Sequence, residues 1–317
     1  MDLLDDHLGG VRTRGAVFCR SLVEPPWSLR FIGPVPLALA IALTGDAWIT
    51  LDGSAPVPVR KGDIALVRGT RPFTVADDPA TPVGIVIEDE STCYTVGDGP
   101  ALDADGLILG PRTWGIGDAA DGADTFLFAE YPLRGDVGDR LLDSLPDLAV
   151  VPAGPELAPL TALLAVETSR VEPGQQIVLD RLLDMLLVKA LRAWFARPEA
   201  EPPAGYRALA DPRVGRALRA VHDEPGRPWT VAALAAEAGM SRAAFARTFT
   251  ELVGMAPMAY VTEWRMTLAT DMLRERGASV AAVARRVGYS DGFAFSSAFK
   301  RVRGRSPSAV LAEARQP

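Results

Sequence analysis

The last third of the chain repeats itself, and this duplication restricts the possible folds more than any other feature of the sequence. Six positions recur at an offset of 49 residues, with Val231, Leu234, Ala235, Ala238, Gly239 and Ser241 matching Val280, Val283, Ala284, Val287, Gly288 and Ser290. Four more recur at an offset of 50, with Phe245, Phe249, Gly254 and Pro257 matching Phe295, Phe299, Gly304 and Pro307. The segment therefore contains two copies of one helical unit, with one residue inserted after the turn of the second copy.

Each copy has the pattern of two helices that cross steeply at a short turn. A small residue, Ala235 or Ala284, stands where the two helix axes approach each other. Gly239 and Gly288 follow four residues later, where such a turn needs a residue that tolerates a positive φ. We expect the serines that come next, Ser241 and Ser290, to cap the second helix of each copy. The pattern predicts a pair of helix-turn-helix units.

The charge is distributed unevenly along the chain. The whole sequence has a formal net charge of −7, which by itself argues against binding to DNA, since DNA attracts basic surfaces. Residues 1–204 hold 16 Lys and Arg against 30 Asp and Glu, whereas residues 205–317 hold 17 against 10. The basic part therefore coincides with the duplicated units, and the pattern favours DNA binding by this part alone.

The same residues resemble a known family of transcription regulators. Residues Trp229–Phe249, WTVAALAAEAGMSRAAFARTF, and residues Val280–Pro307, VAAVARRVGYSDGFAFSSAFKRVRGRSP, are similar to the AraC/XylS class, as are Gly254, Pro257, Tyr260 and Arg265 between them. This resemblance implies a DNA-binding domain over residues 205–317, with helix-turn-helix units at about 229–250 and 278–301 joined by a long helix.

The second helix of each unit is expected to enter the major groove of double-stranded promoter DNA. Candidate contacts in the first unit are Ser241, Arg242, Ala243, Ala246, Arg247 and Thr250. Candidate contacts in the second unit are Ser290, Asp291, Gly292, Ser296, Ser297, Lys300 and Arg301. Arg247 is the best candidate for reading a base, because an arginine can bond to O6 and N7 of a guanine together. Ser297 stands where members of the family often carry Arg, so the second unit is expected to contact mainly the DNA backbone.

The N-terminal half has a different pattern, with short apolar runs separated by turn residues. Candidate strands are Arg14–Leu22, Ala38–Leu43, Ala47–Leu51, Ile64–Val67, Gly84–Ile87 and Cys93–Val96. Many short strands with turns between them predict a β-sandwich or a jelly-roll barrel. Helical spacing of apolar residues follows at Leu160–Val171 and Ile177–Phe195, within a segment of residues 156–197 that either covers the barrel or forms a dimer seam. Three prolines in Arg197–Gly205 indicate a linker.

One hairpin of the N-terminal half resembles those of cupin-like sensor domains. It is the segment KGDIALVRGTRPFTV, residues Lys61–Val75, in which Arg71 and Pro72 stand where a cupin enzyme would place a metal-binding histidine. The resemblance implies a two-domain α+β protein, with a cupin-like barrel over residues 1–150, covering or linker helices, and an all-α double helix-turn-helix domain. The barrel is expected to hold no metal and no cofactor and to lack enzymatic activity.

The signal that such a sensor detects is open. Cys19 and Cys93 are either small buried hydrophobes or redox-active thiols. The text around them resembles a subgroup of cupin-containing regulators that responds to reactive chlorine species, although further cysteines of that subgroup are missing. One version of this hypothesis has Cys19 and Cys93 forming a disulfide. The alternative is a small-molecule effector inside the barrel, with Trp27, Phe31, Trp48 and Phe73 as its possible lining. A cupin enzyme fused to a DNA-binding tail is a less favoured third reading.

Several other classes of protein do not fit the sequence. The N-terminus lacks the basic and apolar regions of a secretion signal, and the apolar runs are too short to cross a bilayer. The two histidines, His7 and His222, lie 215 residues apart, which argues against metal-dependent chemistry. We therefore expect a cytoplasmic, dimeric regulator that binds DNA, contacts RNA polymerase if it is an activator, and has no membrane partner.

Overall fold

The computed structural model describes residues 18–69, 71–89, 92–96, 104–110, 113–115, 124–131, 135–169 and 172–314. These residues form two compact units. The first unit contains the described residues between 11 and 133 and between 145 and 201. The second unit contains residues 202–314 and also residues 135–144, which lie inside the segment that the sequence assigns to the sensor domain.

The first unit is built on two β-sheets. Its strands are β1 (Phe18–Val23), β2 (Ser28–Phe31), β3 (Val35–Thr44), β4 (Ala47–Leu51), β5 (Val57–Val59), β6 (Ile64–Gly69), β7 (Phe73–Ala76), β8 (Ile85–Ile87), β9 (Cys93–Thr95), β10 (Ile108–Gly110), β11 (Thr113–Gly115), β12 (Asp124–Tyr131) and β13 (Leu148–Val151). The larger sheet has the order β10-β11-β1-β12-β3-β6-β13, and the smaller one has the order β5-β4-β7-β2-β8-β9. A four-residue helix, α1 (Ala104–Leu107), precedes β10. This is the cupin-like, β-rich architecture that the resemblance implies.

The long strand β3 shows why the sheets stack. Its alternate residues Ala38 and Ala40 belong to the core between the sheets, and Leu39 and Ile41 are equally buried on the opposite face. A strand that is apolar on both faces must be covered on both sides. The second cover consists of the helices α3 (Ala158–Thr168) and α4 (Gln175–Phe195), whose positions confirm the helical pattern in the sequence.

Helix α4 is fixed to the larger sheet by a buried hydrogen bond. The hydroxyl of Tyr131 on β12 donates to the carbonyl oxygen of Leu183 on α4 at 2.9 Å. Burial raises the pKa of Tyr131, so the hydroxyl keeps its proton and remains a donor. The helices therefore cover the barrel, although parts of both helices remain exposed.

Aromatic rings fill part of the space between the sheets. Phe31 stacks on Phe73 with ring centroids 4.7 Å apart and on Phe128 with centroids 4.5 Å apart. Trp27 also belongs to this core and donates its indole N–H to Asp124 at 2.8 Å. Trp48 does not, because it alternates with the buried Ala47 and Ile49 along β4 and so lies on the other face. Trp48 is therefore removed from the set of possible effector-lining residues in the barrel.

The second unit is helical. It contains α2 (Gly135–Asp143), a 3₁₀ turn (Arg207–Ala210), α5 (Val214–Asp223), α6 (Val231–Ala238), α7 (Arg242–Val253), α8 (Pro257–Arg274), α9 (Val280–Arg286), α10 (Gly292–Arg303) and α11 (Pro307–Glu313). Helices α6 and α7 form the first repeat, α9 and α10 form the second, and the 18-residue helix α8 joins the two. In the described part of the chain, no helix has the length and apolar character needed to cross a membrane.

Candidate nucleic-acid interface

Helix caps set the start of both helices in the first repeat. The Thr230 hydroxyl accepts a hydrogen bond from the backbone N–H of Ala233, and the Ser241 hydroxyl accepts one from Ala244. Between the two helices, Gly239 has a φ of 63°, a region that disfavours residues with a Cβ atom. The sequence prediction of a glycine turn followed by a serine cap is confirmed for this unit.

The second repeat keeps the geometry but changes the cap. Gly288 again has a positive φ, 85°, and a Cβ atom there would lie 2.4 Å from the carbonyl oxygen of Gly226. The predicted cap at Ser290 is wrong, because the carboxylate of Asp291 accepts from the N–H groups of Phe293 and Ala294 at 3.0 and 3.1 Å. The residue inserted after the turn moves the start of α10 by one position, so Asp291 takes the place of Ser241.

A pair of phenylalanines anchors each second helix to its core. In α7 the rings of Phe245 and Phe249 are 5.4 Å apart, and in α10 those of Phe295 and Phe299 are 5.7 Å apart. All four side chains are at most 1% exposed. Residues spaced by four lie on one side of a helix, so these pairs determine which residues face outward.

The outward face of α7 brings together the residues predicted for the first unit. Arg242, Ala243, Arg247 and Thr250 are exposed there, and Ala246 is half-buried beside them. The side chain of Arg247 is 74% exposed, and its single ion pair, with Glu251 at 4.0 Å, is too long to restrict it. Arg247 therefore has the freedom to reach a base edge.

The outward face of α10 also contains the predicted residues. Ser290, Asp291, Gly292, Ser297, Lys300 and Arg301 are exposed, and Ser296 is half-buried. The carboxylate of Asp291 caps helix α10, so this residue has a structural role on the predicted face. Sequence reasoning missed Phe293 on this face, which is 86% exposed, although its position four residues before Ser297 was a signal that it faces outward. It also missed two exposed cations on α9, Arg285 and Arg286.

Arg265 of helix α8 ties the two repeats together. Its guanidinium donates to the carbonyl oxygens of Pro225 at 2.7 Å and Arg227 at 2.6 Å, just before the first repeat. The same group lies 5.8 Å from the ring centre of Tyr289 in the turn of the second repeat. Burial lowers the pKa of Arg265. Its hydrogen bonds to the two carbonyl oxygens offset part of the free-energy cost of removing this cation from water.

Helix α2 is held on α8 by charges that are far away in the sequence. The carboxylate of Asp271 on α8 accepts from the N–H groups of Asp136 and Val137 and thereby caps α2. Arg303, at the end of α10, lies 3.1 Å from Asp136 and 3.2 Å from Glu263, and Arg140 forms an ion pair with the same Glu263. Burial raises the pKa of Asp271. These contacts explain why residues 135–144 belong to the second unit.

Arg71 stands where a cupin enzyme would place a metal ligand, and its contacts are those of a structural cation. Arg71 donates to the carbonyl oxygen of Asp52, to Ser54 and to Asp147, so a cation occupies the place of the expected metal ligand and does not fit a metal. No group of three or more His, Cys, Asp or Glu among the described residues is arranged to hold a metal ion.

The two cysteines lie in different sheets. Cys93 begins the edge strand β9, is half-buried and packs against the core between the sheets. Cys19 lies on β1 in register with Phe128 of β12, and its side chain lies outside the described residues. The structure thus gives surroundings for Cys93 alone.

A cavity of about 520 Å³ lies on the outer side of the larger sheet, beside helix α3. Its walls are largely apolar, including Leu43 and Ala162, and two cations, Arg20 and Lys61, also contribute to them. This cavity lies outside the space between the sheets, whereas the sequence-based alternative places an effector inside that space.

The chain is similar to known proteins over nearly its whole length. Residues 2–196 match the Cupin family, and residues 234–313 match a family described as a helix-turn-helix domain. A putative AraC-like transcription regulator from Streptomyces lividans is 33% identical over 314 residues, which are 97% of each chain.

Two further relatives differ in the share of this chain that they match. The HTH-type transcriptional regulator AlkR of Acinetobacter baylyi is 29% identical over 313 residues, 97% of this chain and 98% of AlkR. RclR of Escherichia coli, an RCS-specific transcriptional activator, is 31% identical over 153 residues, 48% of this chain and 54% of RclR.

Proposed function

Since the chain belongs to the family of AraC-like transcription regulators, which bind DNA, we propose that α7 and α10 contact promoter DNA through the outward faces described above. The protein is a DNA-binding transcription regulator with an N-terminal cupin domain. The observation that carries the proposal is the matched geometry of the two repeats, in which buried phenylalanine pairs point both second helices the same way relative to their cores. If the protein activates transcription, RNA polymerase is its partner.

The outward faces of α7 and α10 are proposed to contact both bases and phosphates of the DNA. Arg247 reads a guanine, because its guanidinium is long, exposed and close to the middle of α7. Arg242 and the cations Lys300 and Arg301 contact phosphates, and Thr250 adds a hydroxyl that already donates to the carbonyl oxygen of Ala246. Phosphate contacts position the protein, whereas base contacts give it sequence preference.

The test is the selection of bound DNA from a random pool with the full-length protein. We expect one recurring site, and Arg247→Ala should bind that site more weakly by about 1–3 kcal/mol and lose preference at a single guanine. Arg60→Ala changes an exposed arginine of the first unit that lies outside helices α3 and α4, so it is the matched control and should leave the affinity unchanged. A pool without a recurring site would contradict the proposed function, and an unchanged preference in Arg247→Ala would contradict the role of Arg247.

Oxidation of Cys19 and Cys93 is our candidate for the signal, supported by the partial match to RclR. In this reaction two thiols and one hypochlorous acid give a disulfide, chloride, water and a proton. The same selection, run with reduced and with hypochlorite-treated protein, should give different affinities, and Cys19→Ser and Cys93→Ser should abolish the difference. Variants that still respond to hypochlorite would rule out the two cysteines as the switch, and a wild type that shows no difference would favour the alternative of a small-molecule effector.

A second copy of the chain is the partner that we propose for helices α3 and α4. Five large apolar side chains of these helices remain exposed, namely Leu163, Val166, Ile177, Val178 and Met185. Val178 and Met185 are seven residues apart, the spacing at which residues of a two-helix seam recur. Because the opposite side of α4 is buried on the sheet, this exposed side is available for dimerisation.

We expect the full-length protein to sediment as a dimer, and Met185→Glu should weaken the dimer by about 2 kcal/mol or more, roughly thirtyfold in the dissociation constant. The cause is a carboxylate placed in an apolar contact. Analytical ultracentrifugation over a range of concentrations measures the change. Ile108→Glu alters another exposed apolar residue, on β10, and is the control that should remain dimeric. A wild-type monomer at all concentrations would rule out this seam.

A further inference from the structure

Phe293 is an aromatic residue of helix α10 that is exposed to water, and exposing an apolar ring to water is unfavourable. It is 86% exposed, more than any other large hydrophobic side chain among the residues that the structure describes. It occupies the second position of α10, and its backbone N–H is bonded to the cap Asp291 at 3.0 Å. The ring is therefore presented to solvent by a fixed helix start, and not by a loose loop.

The neighbours of Phe293 show what kind of surface this is. Ser296, Ser297 and Lys300 follow at three, four and seven residues, so they lie along the same side of α10. This side is opposite the buried Phe295 and Phe299. A protein-binding patch would be expected to join several apolar residues, whereas here one ring is surrounded by hydroxyls and a cation.

A polar, cationic face with one apolar residue matches the major groove of DNA. Base edges in that groove carry hydrogen-bond donors and acceptors, and thymine adds a C5-methyl group, which makes favourable contact with phenylalanine. Residues in the first two turns of a recognition helix contact base edges, and Phe293 lies in the first turn of α10. The corresponding residue of the first repeat is Ala243, so the two units differ at this position.

We propose that Phe293 is a specificity-determining residue that recognises a thymine through contact with its C5-methyl group. This inference rests on the proposed DNA binding by α10 and changes one expectation about it. The second repeat reads a base by apolar contact, although Ser297 takes the place of an arginine. Lys300 supplies the phosphate contact that holds the ring in the groove.

The experiment removes the methyl group and nothing else. In the selected DNA site, each thymine of the half that the second unit covers is replaced in turn by deoxyuridine, and affinity for the full-length protein is measured at fixed salt. At one position the wild type should bind about fourfold more weakly, the value expected for one buried methyl group. Phe293→Ala should bind the thymine site about fourfold or more weakly and should not respond to deoxyuridine there.

Leu252→Ala provides the matched control, because Leu252 is also an exposed apolar residue of a second helix but lies off the outward face of α7. It should keep the full response to deoxyuridine. Equal responses of the wild type and Phe293→Ala at every position would overturn the role of Phe293 while leaving DNA binding intact. A variant that binds DNA normally but fails in transcription would also overturn it, since the ring would then contact a protein. Failure of the wild type to select any site would instead overturn the proposed function.

Discussion

The affinity of the full-length protein for its DNA site is expected to fall about five hundredfold when salt rises from about 50 mM to about 200 mM. Cations that contact phosphates release the counterions of DNA, and this release is opposed by added salt. The expected size of the effect depends on how many cations of the two repeats reach the backbone.

Six exposed cations are available on the helices of the repeats. They are Arg242, Arg247, Arg285, Arg286, Lys300 and Arg301. Among these six described residues, only Arg247 has a carboxylate within 4.0 Å, that of Glu251. Arg247 is assigned to a base, so the other five are counted as phosphate contacts, and about five contacts give a slope of roughly −4.5 in a plot of log affinity against log salt concentration. The excess of acidic residues in 1–204 adds repulsion, so it favours contact through the basic segment alone.

Fluorescence anisotropy at several salt concentrations measures the slope. Lys300→Gln should reduce its magnitude by about one, because one contact is lost. Arg60→Gln, which removes the same charge from the first unit outside helices α3 and α4, should leave the slope unchanged. A slope near zero for the wild type would mean that the basic residues do not face the DNA backbone, and the assignment of the two outward faces would then be wrong.

The repeat was readable from the sequence because its determinants are local. The glycine turns at Gly239 and Gly288 and the phenylalanine pairs depend on backbone conformation and helical spacing, which act over a few residues. The cap of α10 was misassigned because Ser290 and Asp291 are both good caps, and only the helix start decides between them. The exposed Phe293 was overlooked because an apolar residue is expected to be buried.

The barrel and helix α2 were harder to predict. The strands β2, β5 and β7 have three or four residues, too few for a clear alternating pattern. The packing of α2 depends on Asp271 and Arg303, more than 130 residues further along the chain. Ion pairs between such distant residues have no signature in a single sequence, so the assignment of residues 135–144 to the second unit required the structure.

The second large effect is expected in the core of the second repeat, where Phe295→Ala should destabilise the fold by about 3–5 kcal/mol. Phe295 is fully buried, and its ring contacts those of Tyr289 and Phe299 with centroids 5.6 and 5.7 Å away. Alanine leaves a cavity that these rings cannot fill without moving α10. Hydrogen exchange of the amides in α9 to α11, followed in the full-length protein at increasing urea, reports the stability of this core without interference from the barrel.

Phe293→Ala is the matched variant, because it deletes the same ring two residues away on the same helix. Since Phe293 is 86% exposed, its loss should change stability by less than about 0.5 kcal/mol. Equal destabilisation by the two variants would mean that the outward and inward faces of α10 are wrongly assigned. The expected contrast is that Phe295→Ala lowers stability and Phe293→Ala lowers only the affinity for thymine-containing DNA. Such a result would distinguish the buried residues that stabilise the recognition helix from the exposed residues that contact DNA.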